Sequence, residues 1–231
     1  MVLTFFFAAN AQTEIHTFFD VGENNASEGM FVKNGYRGSL LIYKFKVEAG
    51  VQFDYLSNNP NTFSGFDILG TKEFAIKDFP VNAKGFFMLN RFSDILCETN
   101  WGVRFETRKL KYFRFEFGTN FKTYAINRAS RAKYNIDSFN KKQQENFNLV
   151  YGISAYLKPV ENNWNVVLCI TNLDYYVINQ ATNPVFNLQT SFNVKSDLTL
   201  YLESWYKQAG VFNINANYFG YFFRVGVKWK I

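Results

Sequence analysis

Side chains capable of covalent chemistry are sparse. The 231 residues include a single histidine, His16, and two cysteines, Cys97 and Cys169. A serine nucleophile needs a base within hydrogen-bond reach, and His16 is the sole imidazole that could serve. It falls near one end of an alternating segment, among other polar residues, and reads as an ordinary polar wall residue. The cysteines are too few for a disulfide framework and lack the close spacing of a metal site, so they read as small apolar strand residues. No phosphate-cradling loop, dinucleotide fingerprint or metal-ligand spacing occurs. The expectation is a protein that is not an enzyme and carries neither cofactor nor metal.

Ionisable residues instead alternate with apolar ones. In ILCETNWGVRFETRKLKYFRFEFGTNFKTYA, Glu98, Arg104 and Glu106 share one face of a strand, while Trp101, Val103 and Phe105 share the other. In the next strand Arg114, Glu116 and Lys122 oppose Phe113, Phe115 and Phe117. A three-residue turn at Lys109, Leu110 and Lys111 pairs Glu106 with Arg114, Arg104 with Glu116 and Glu98 with Lys122. Each directly opposed pair is worth roughly 0.2–1 kcal/mol, and sliding by two residues brings like charges together. The hairpin is therefore predicted to have one ionic wall and one apolar wall.

The chain's last segment, YFGYFFRVGVKWKI, repeats the pattern. Phe223, Val225 and Trp229 lie on one side and Arg224, Lys228 and Lys230 on the other. An apolar terminal strand left unpaired invites aggregation, so something must cover its edge. Pairing it antiparallel with residues 13–21 sets Glu14 beside Lys230, His16 beside Lys228 and Asp20 beside Arg224. Ile15 then meets Trp229, and Phe19 meets Val225. This pairing closes a barrel.

These faces require strands throughout. Aromatic residues make up 20% of the chain, far too many for disorder, and they favour strands. No apolar run approaches the roughly 20 residues of a spanning helix, but an alternating membrane strand hides its apolar residues by dilution. About twelve strands are predicted, near residues 13–21, 37–45, 47–57, 63–76, 80–91, 95–108, 112–125, 147–158, 164–173, 184–195, 197–206 and 218–231. Connections alternate in length. Those around Phe45-Lys46, Lys77-Asp78, Lys109 to Lys111, Val160 to Asn163 and Ser196 are tight. Those at Gly22 to Tyr36, Ser57 to Thr62, Ala125 to Asn146, Asp174 to Asn183 and Lys207 to Asn217 are longer; Phe92 to Asp94 breaks the trend.

Long loops on one side and short turns on the other resemble a small bacterial outer-membrane β-barrel of the porin-like class. YFFRVGVKWKI resembles the terminal signal such proteins present to the barrel-assembly machinery, although it ends in Ile231, with Trp229 two positions earlier. The resemblance implies an all-β, single up-and-down antiparallel transmembrane barrel in the outer membrane, in contact with its lipid and lipopolysaccharide. Under it, Glu98, Arg104, Glu106, Arg114, Glu116, Lys122, Arg224, Lys228 and Lys230 line the lumen. Trp101, Phe105, Phe113, Phe115, Phe117, Phe223, Val225 and Trp229 face lipid. Arg128, Arg131, Lys133, Lys141 and Lys142 belong to a basic outer loop.

The first residues, MVLTFFFAANAQTE, combine an apolar run with Ala9-Asn10-Ala11, so 1–11 reads as a signal-peptide remnant or as a first strand, and 12–231 as the barrel. A net charge of +6 raises the question of nucleic acid, but alternation separates basic from aromatic residues, which excludes a stacking platform. The functional expectation is a narrow passive channel or a barrel subunit of a larger envelope complex. A weak anion preference follows if it conducts, with Glu48 and Asp54 among the balancing carboxylates. The alternatives are an outer-membrane lipid-modifying enzyme using His16 and a soluble ligand-binding barrel, which would turn the apolar wall inward.

Overall fold

The computed structural model describes residues 11–24, 29–56, 63–77, 79–91, 96–107, 110, 112–126, 132, 142–144, 148–157, 163–172, 184–208 and 219–231. The strands are β1 (Ala11–Asn24), β2 (Gly29–Ile42), β3 (Phe45–Asp54), β4 (Phe63–Ile76), β5 (Phe79–Arg91), β6 (Leu96–Thr107) and β7 (Phe113–Ile126). They continue with β8 (Lys142–Gln144), β9 (Asn148–Tyr156), β10 (Trp164–Thr171), β11 (Val185–Asn193), β12 (Leu198–Gln208) and β13 (Phe219–Lys230). Each pairs antiparallel with its neighbour, and β1 pairs with β13, so the sheet closes. β8 is a three-residue strip on the end of β7, beyond the point where β7 leaves β9. Twelve strands therefore make the cylinder, and no open edge remains along its seam.

The closing register is the one the charge pattern predicts. Glu14 stands opposite Lys230, His16 opposite Lys228, Asp20 opposite Arg224, Ile15 opposite Trp229 and Phe19 opposite Val225.

Alternation fixes which face is enclosed. On β6, Glu98, Arg104 and Glu106 are buried, whereas Trp101, Val103 and Phe105 are exposed. Phe105, Phe115 and Val225 expose 43%, 45% and 57% of their surface, so the apolar wall is the outer one. That arrangement is the reverse of a water-soluble barrel and is the wall of a membrane-spanning one.

Three sequence expectations need correction. The segment Gly29 to Tyr36 is the first part of β2, so no more than residues 25–28 separate it from β1. Gly35 within it is a packing device: a Cβ there would stand 2.2 Å from the Phe18 ring. Gly226 does the same for Tyr201, at 2.5 Å, so both rings lie flat on the wall instead of crossing the interior. Second, the turn after β2 is Tyr43-Lys44, with Ile42 opposite Phe45, so Phe45-Lys46 opens β3. Tyr43 at φ 55° and, in the next tight hairpin, Lys77 at φ 46° adopt the left-handed conformation that two-residue turns demand. Third, the β6–β7 register is shifted by two from that predicted: Glu106 stands opposite Glu116, and Arg104 opposite Gly118.

Candidate functional site in the barrel interior

The shifted register keeps every predicted ion pair by making it diagonal. Arg104 Nη1 lies 2.6 Å from Glu116 Oε1, Arg114 Nε 3.6 Å from Glu106 Oε2, and Lys122 Nζ 3.6 Å from Glu98 Oε2. Diagonal neighbours two residues along the partner strand are within reach of such long side chains. The opposed Glu106 and Glu116 are tolerated because β5 supplies a cation that the hairpin alone does not contain. Lys84, directly across from Arg104, donates to Glu106 Oε2 at 2.5 Å.

On the opposite wall the strands place charges of alternating sign in one row. Glu203 on β12, Arg224 on β13, Asp20 on β1, Lys33 on β2 and Asp54 on β3 are successive register partners. Arg224 holds Asp20 through two hydrogen bonds of 2.7 and 2.8 Å, stacks 4.0 Å from the Phe18 ring centroid and lies 3.8 Å from Glu203. Asp20, Lys33, Asp54 and Arg224 are all buried.

A second arginine–carboxylate pair, held through Arg37 Nη2 alone, spans two strand intervals. Arg37 on β2 donates to both oxygens of Asp67 on β4, at 2.9 and 2.8 Å. They meet over β3 because Gly50 lies between them in register. A Cβ there would come within 2.9 Å of Asp67 Oδ1 and 3.2 Å of Arg37 Nε.

Most of the predicted lumen residues thus face inward, with one correction: Lys230 is exposed at the strand end and does not line the enclosed interior. Trp101, Phe105, Phe113, Phe115, Phe117, Phe223, Val225 and Trp229 all lie on the outer wall. Arg128, Arg131, Lys133 and Lys141 fall outside the described residues. Lys142, expected in the same loop, begins β8.

Sequence reasoning missed Lys33, because its segment was read as loop, and missed Arg37 with Asp67. An arginine, a glycine and an aspartate in matching register on three successive strands would have been the signal. His16 is buried at the end of β1 near the tight turns, with Nε2 3.3 Å from Glu14 Oε2. Ser39 Oγ donates to that same carboxylate oxygen at 3.4 Å, and Lys46 Nζ lies 3.3 Å from it. Hydroxyl and imidazole both turned to one carboxylate are not a nucleophile with its base. Cys97 and Cys169 are free thiols in β6 and β10.

The two charged walls border a cavity of about 200 Å³, lined among others by Arg37, Asp67, Arg104, Glu203, Trp205 and Arg224. Trp205, stacked on Phe222 at 5.5 Å, donates its indole N–H to Glu203 at 3.1 Å.

No family model matches the chain, and no curated protein does. Solved structures match it over nearly its full length. The KdgM porin superposes with a TM-score of 0.54 at 10% identity, covering 93% of this chain and 98% of its own. The NanC porin gives 0.53 at 14% identity, covering 93% and 100%. An outer-membrane channel from Pseudomonas putida F1 gives 0.50 at 7% identity, covering 96% of each. The chain has the fold of outer-membrane porins and channels. At these identities the likeness is one of architecture, and the closed barrel with its apolar outer wall belongs to the bacterial outer membrane.

Proposed function

We propose that the barrel is a narrow passive channel for small polar solutes. The observation that carries this reading is the cavity itself: charged and amide side chains from opposite walls converge on open space inside the cylinder, with Leu69, Phe86 and Met88 among the apolar part of its lining. Barrels of eight strands fill their interiors and those of 16–18 hold wide aqueous channels, so twelve strands leave a tight path. The inward arginines Arg37, Arg104, Arg114 and Arg224 each lie within 4 Å of a carboxylate. The inward carboxylates Asp20, Asp67 and Glu203 are matched by the inward cations Lys33, Arg37 and Lys84, and Lys230 does not line the interior, so the channel is expected to discriminate little by sign of charge rather than to prefer anions.

The purified barrel, inserted into a planar bilayer, is expected to give small discrete conductance steps with a cation-to-anion permeability ratio near one. A second reading, a barrel subunit of a larger envelope complex, draws support from how much of the interior is tied up in direct ion pairs. A silent bilayer, together with co-purification of other envelope proteins, would replace the channel with that subunit. Nothing at His16 favours lipid-modifying chemistry. The terminal strand is proposed to act as the assembly-machinery signal, and the basic residues of 128–142 to meet lipopolysaccharide phosphates.

A further inference from the structure

The cavity has an arrangement that the channel reading does not use. Its lining comes from β2 to β6 on one side and from β11, β12 and β13 on the other, so it bridges nearly opposite walls of the cylinder. Each wall presents both signs of charge: Arg37 with Asp67 and Arg104 on one, Glu203 with Arg224 on the other. Glu203 is held at longer range, by Arg224 and by Lys228. Arg224 is already engaged by both oxygens of Asp20 and stands 3.8 Å from Glu203, whose Oε2 accepts the Trp205 indole N–H. A carboxylate has about four acceptor positions, so Glu203 has the chemistry to take an ammonium donor. Across the cavity, Arg37 and Arg104 are planar guanidinium forks, the groups best matched to a carboxylate.

From this we infer that the constriction is a binding site for a small zwitterionic solute, one ammonium and one carboxylate on a short chain. Its ammonium sits toward Glu203 and its carboxylate toward the Arg37 and Arg104 side. The proposal rests on the channel reading for its biological sense. A solute of one charge meets a like charge beside every opposite one and must compete with an existing ion pair, a costly exchange in a desolvated wall. A zwitterion spanning the cavity meets the same competition but gains an opposite charge at each end, where a solute of one charge gains it at only one. A neutral polyol makes hydrogen bonds there but uses none of the charge separation.

The test uses the full chain refolded in detergent, with 4-aminobutanoate as the probe and butanoate, butylamine and glucose as comparisons. Of the four tryptophans, Trp101, Trp164 and Trp229 are on the outer wall, and Trp205 lines the cavity. Saturable change in tryptophan emission on adding 4-aminobutanoate, lost in Trp205→Phe, is expected. Equilibrium dialysis of labelled probe supplies a measure independent of that residue. The three comparison solutes should bind at least about tenfold more weakly, and Glu203→Gln should weaken the zwitterion by at least about tenfold, as loss of one desolvated charge contact does. Glu203→Gln leaves Arg224 its Asp20 partner. Should that variant fail to show folded migration on an unboiled gel, Arg104→Lys, which keeps the charge beside Glu116 but loses the fork, must give the same weakening.

Absence of saturable binding, equal binding of glucose or butanoate, or full affinity in both variants overturns the inference. Binding does not require conduction. A barrel that binds the probe yet stays silent in bilayers sinks the channel alone, and one that conducts without distinguishing these solutes sinks the zwitterion site alone.

Discussion

Asp20 shows what a single interior residue contributes. It is fully buried and accepts two hydrogen bonds from Arg224, with Lys33 opposite it on β2. Removing one partner of a buried pair leaves the other charge desolvated and uncompensated, at a cost of about 3–5 kcal/mol. Asp20→Asn preserves volume and should lower unfolding stability in detergent by that amount. Lys230→Gln, at the exposed strand end, should stay within about 0.5 kcal/mol. Urea titrations followed by gel migration measure both, and a loss below about 1 kcal/mol for Asp20→Asn would show the pair to be dispensable. The Asp20 and Arg224 pair was legible in the sequence because both residues sit in strongly alternating segments whose pairing follows from closing the barrel. Arg37 with Asp67 was not, because their contact skips a strand and depends on the missing side chain of Gly50.

At the scale of strands, alternation gave the faces correctly and the register of one hairpin incorrectly. The sequence argument scored only directly opposed charges, and on that score Glu106 against Glu116 is a fault. Long side chains lean, however, so Arg104 and Arg114 satisfy both carboxylates from diagonal positions, and Lys84 on β5 adds a cation no two-strand argument includes. The start of β2 was lost for a related reason: Gly29, Asn34 and Gly35 look like loop punctuation, yet Gly35 makes room for a ring from the neighbouring strand. Cross-linking decides the β6–β7 register. Val103 stands opposite Thr119 on the outer face, whereas the predicted register would set it against Phe117. In a background with Cys97→Ser and Cys169→Ser, Val103→Cys with Thr119→Cys should oxidise to a disulfide, detected as altered mobility on a non-reducing gel. Val103→Cys with Phe117→Cys should not, since diagonal Cα separations exceed about 7 Å and fall outside disulfide geometry. The opposite result would restore the register read from the opposed charges.

For the whole molecule, closure and sidedness were legible, because both follow from period-two alternation carried through every strand. The lumen was not, because its cavity is a property of walls many residues apart, brought together only by strand number and tilt. Sidedness carries its own test. Val225, midway along β13, lies between Phe19 and Leu202 on the outer wall, and Trp229 lies near the strand's end on the same face. A cationic side chain on a lipid-facing wall costs about 2–4 kcal/mol at the bilayer midplane and about 0–1 kcal/mol near the interface. Val225→Arg should therefore weaken reversible folding into phospholipid vesicles by the larger amount, and Trp229→Arg by much less of this charge-burial cost. In a detergent micelle, which adapts its thickness and admits water, the difference between the two variants should shrink. If the apolar wall instead faced a protein core, Val225→Arg would be as damaging in detergent as in vesicles, and depth in the bilayer would have no bearing on either variant. A depth-graded penalty that needs a bilayer is something only a lipid-facing wall produces.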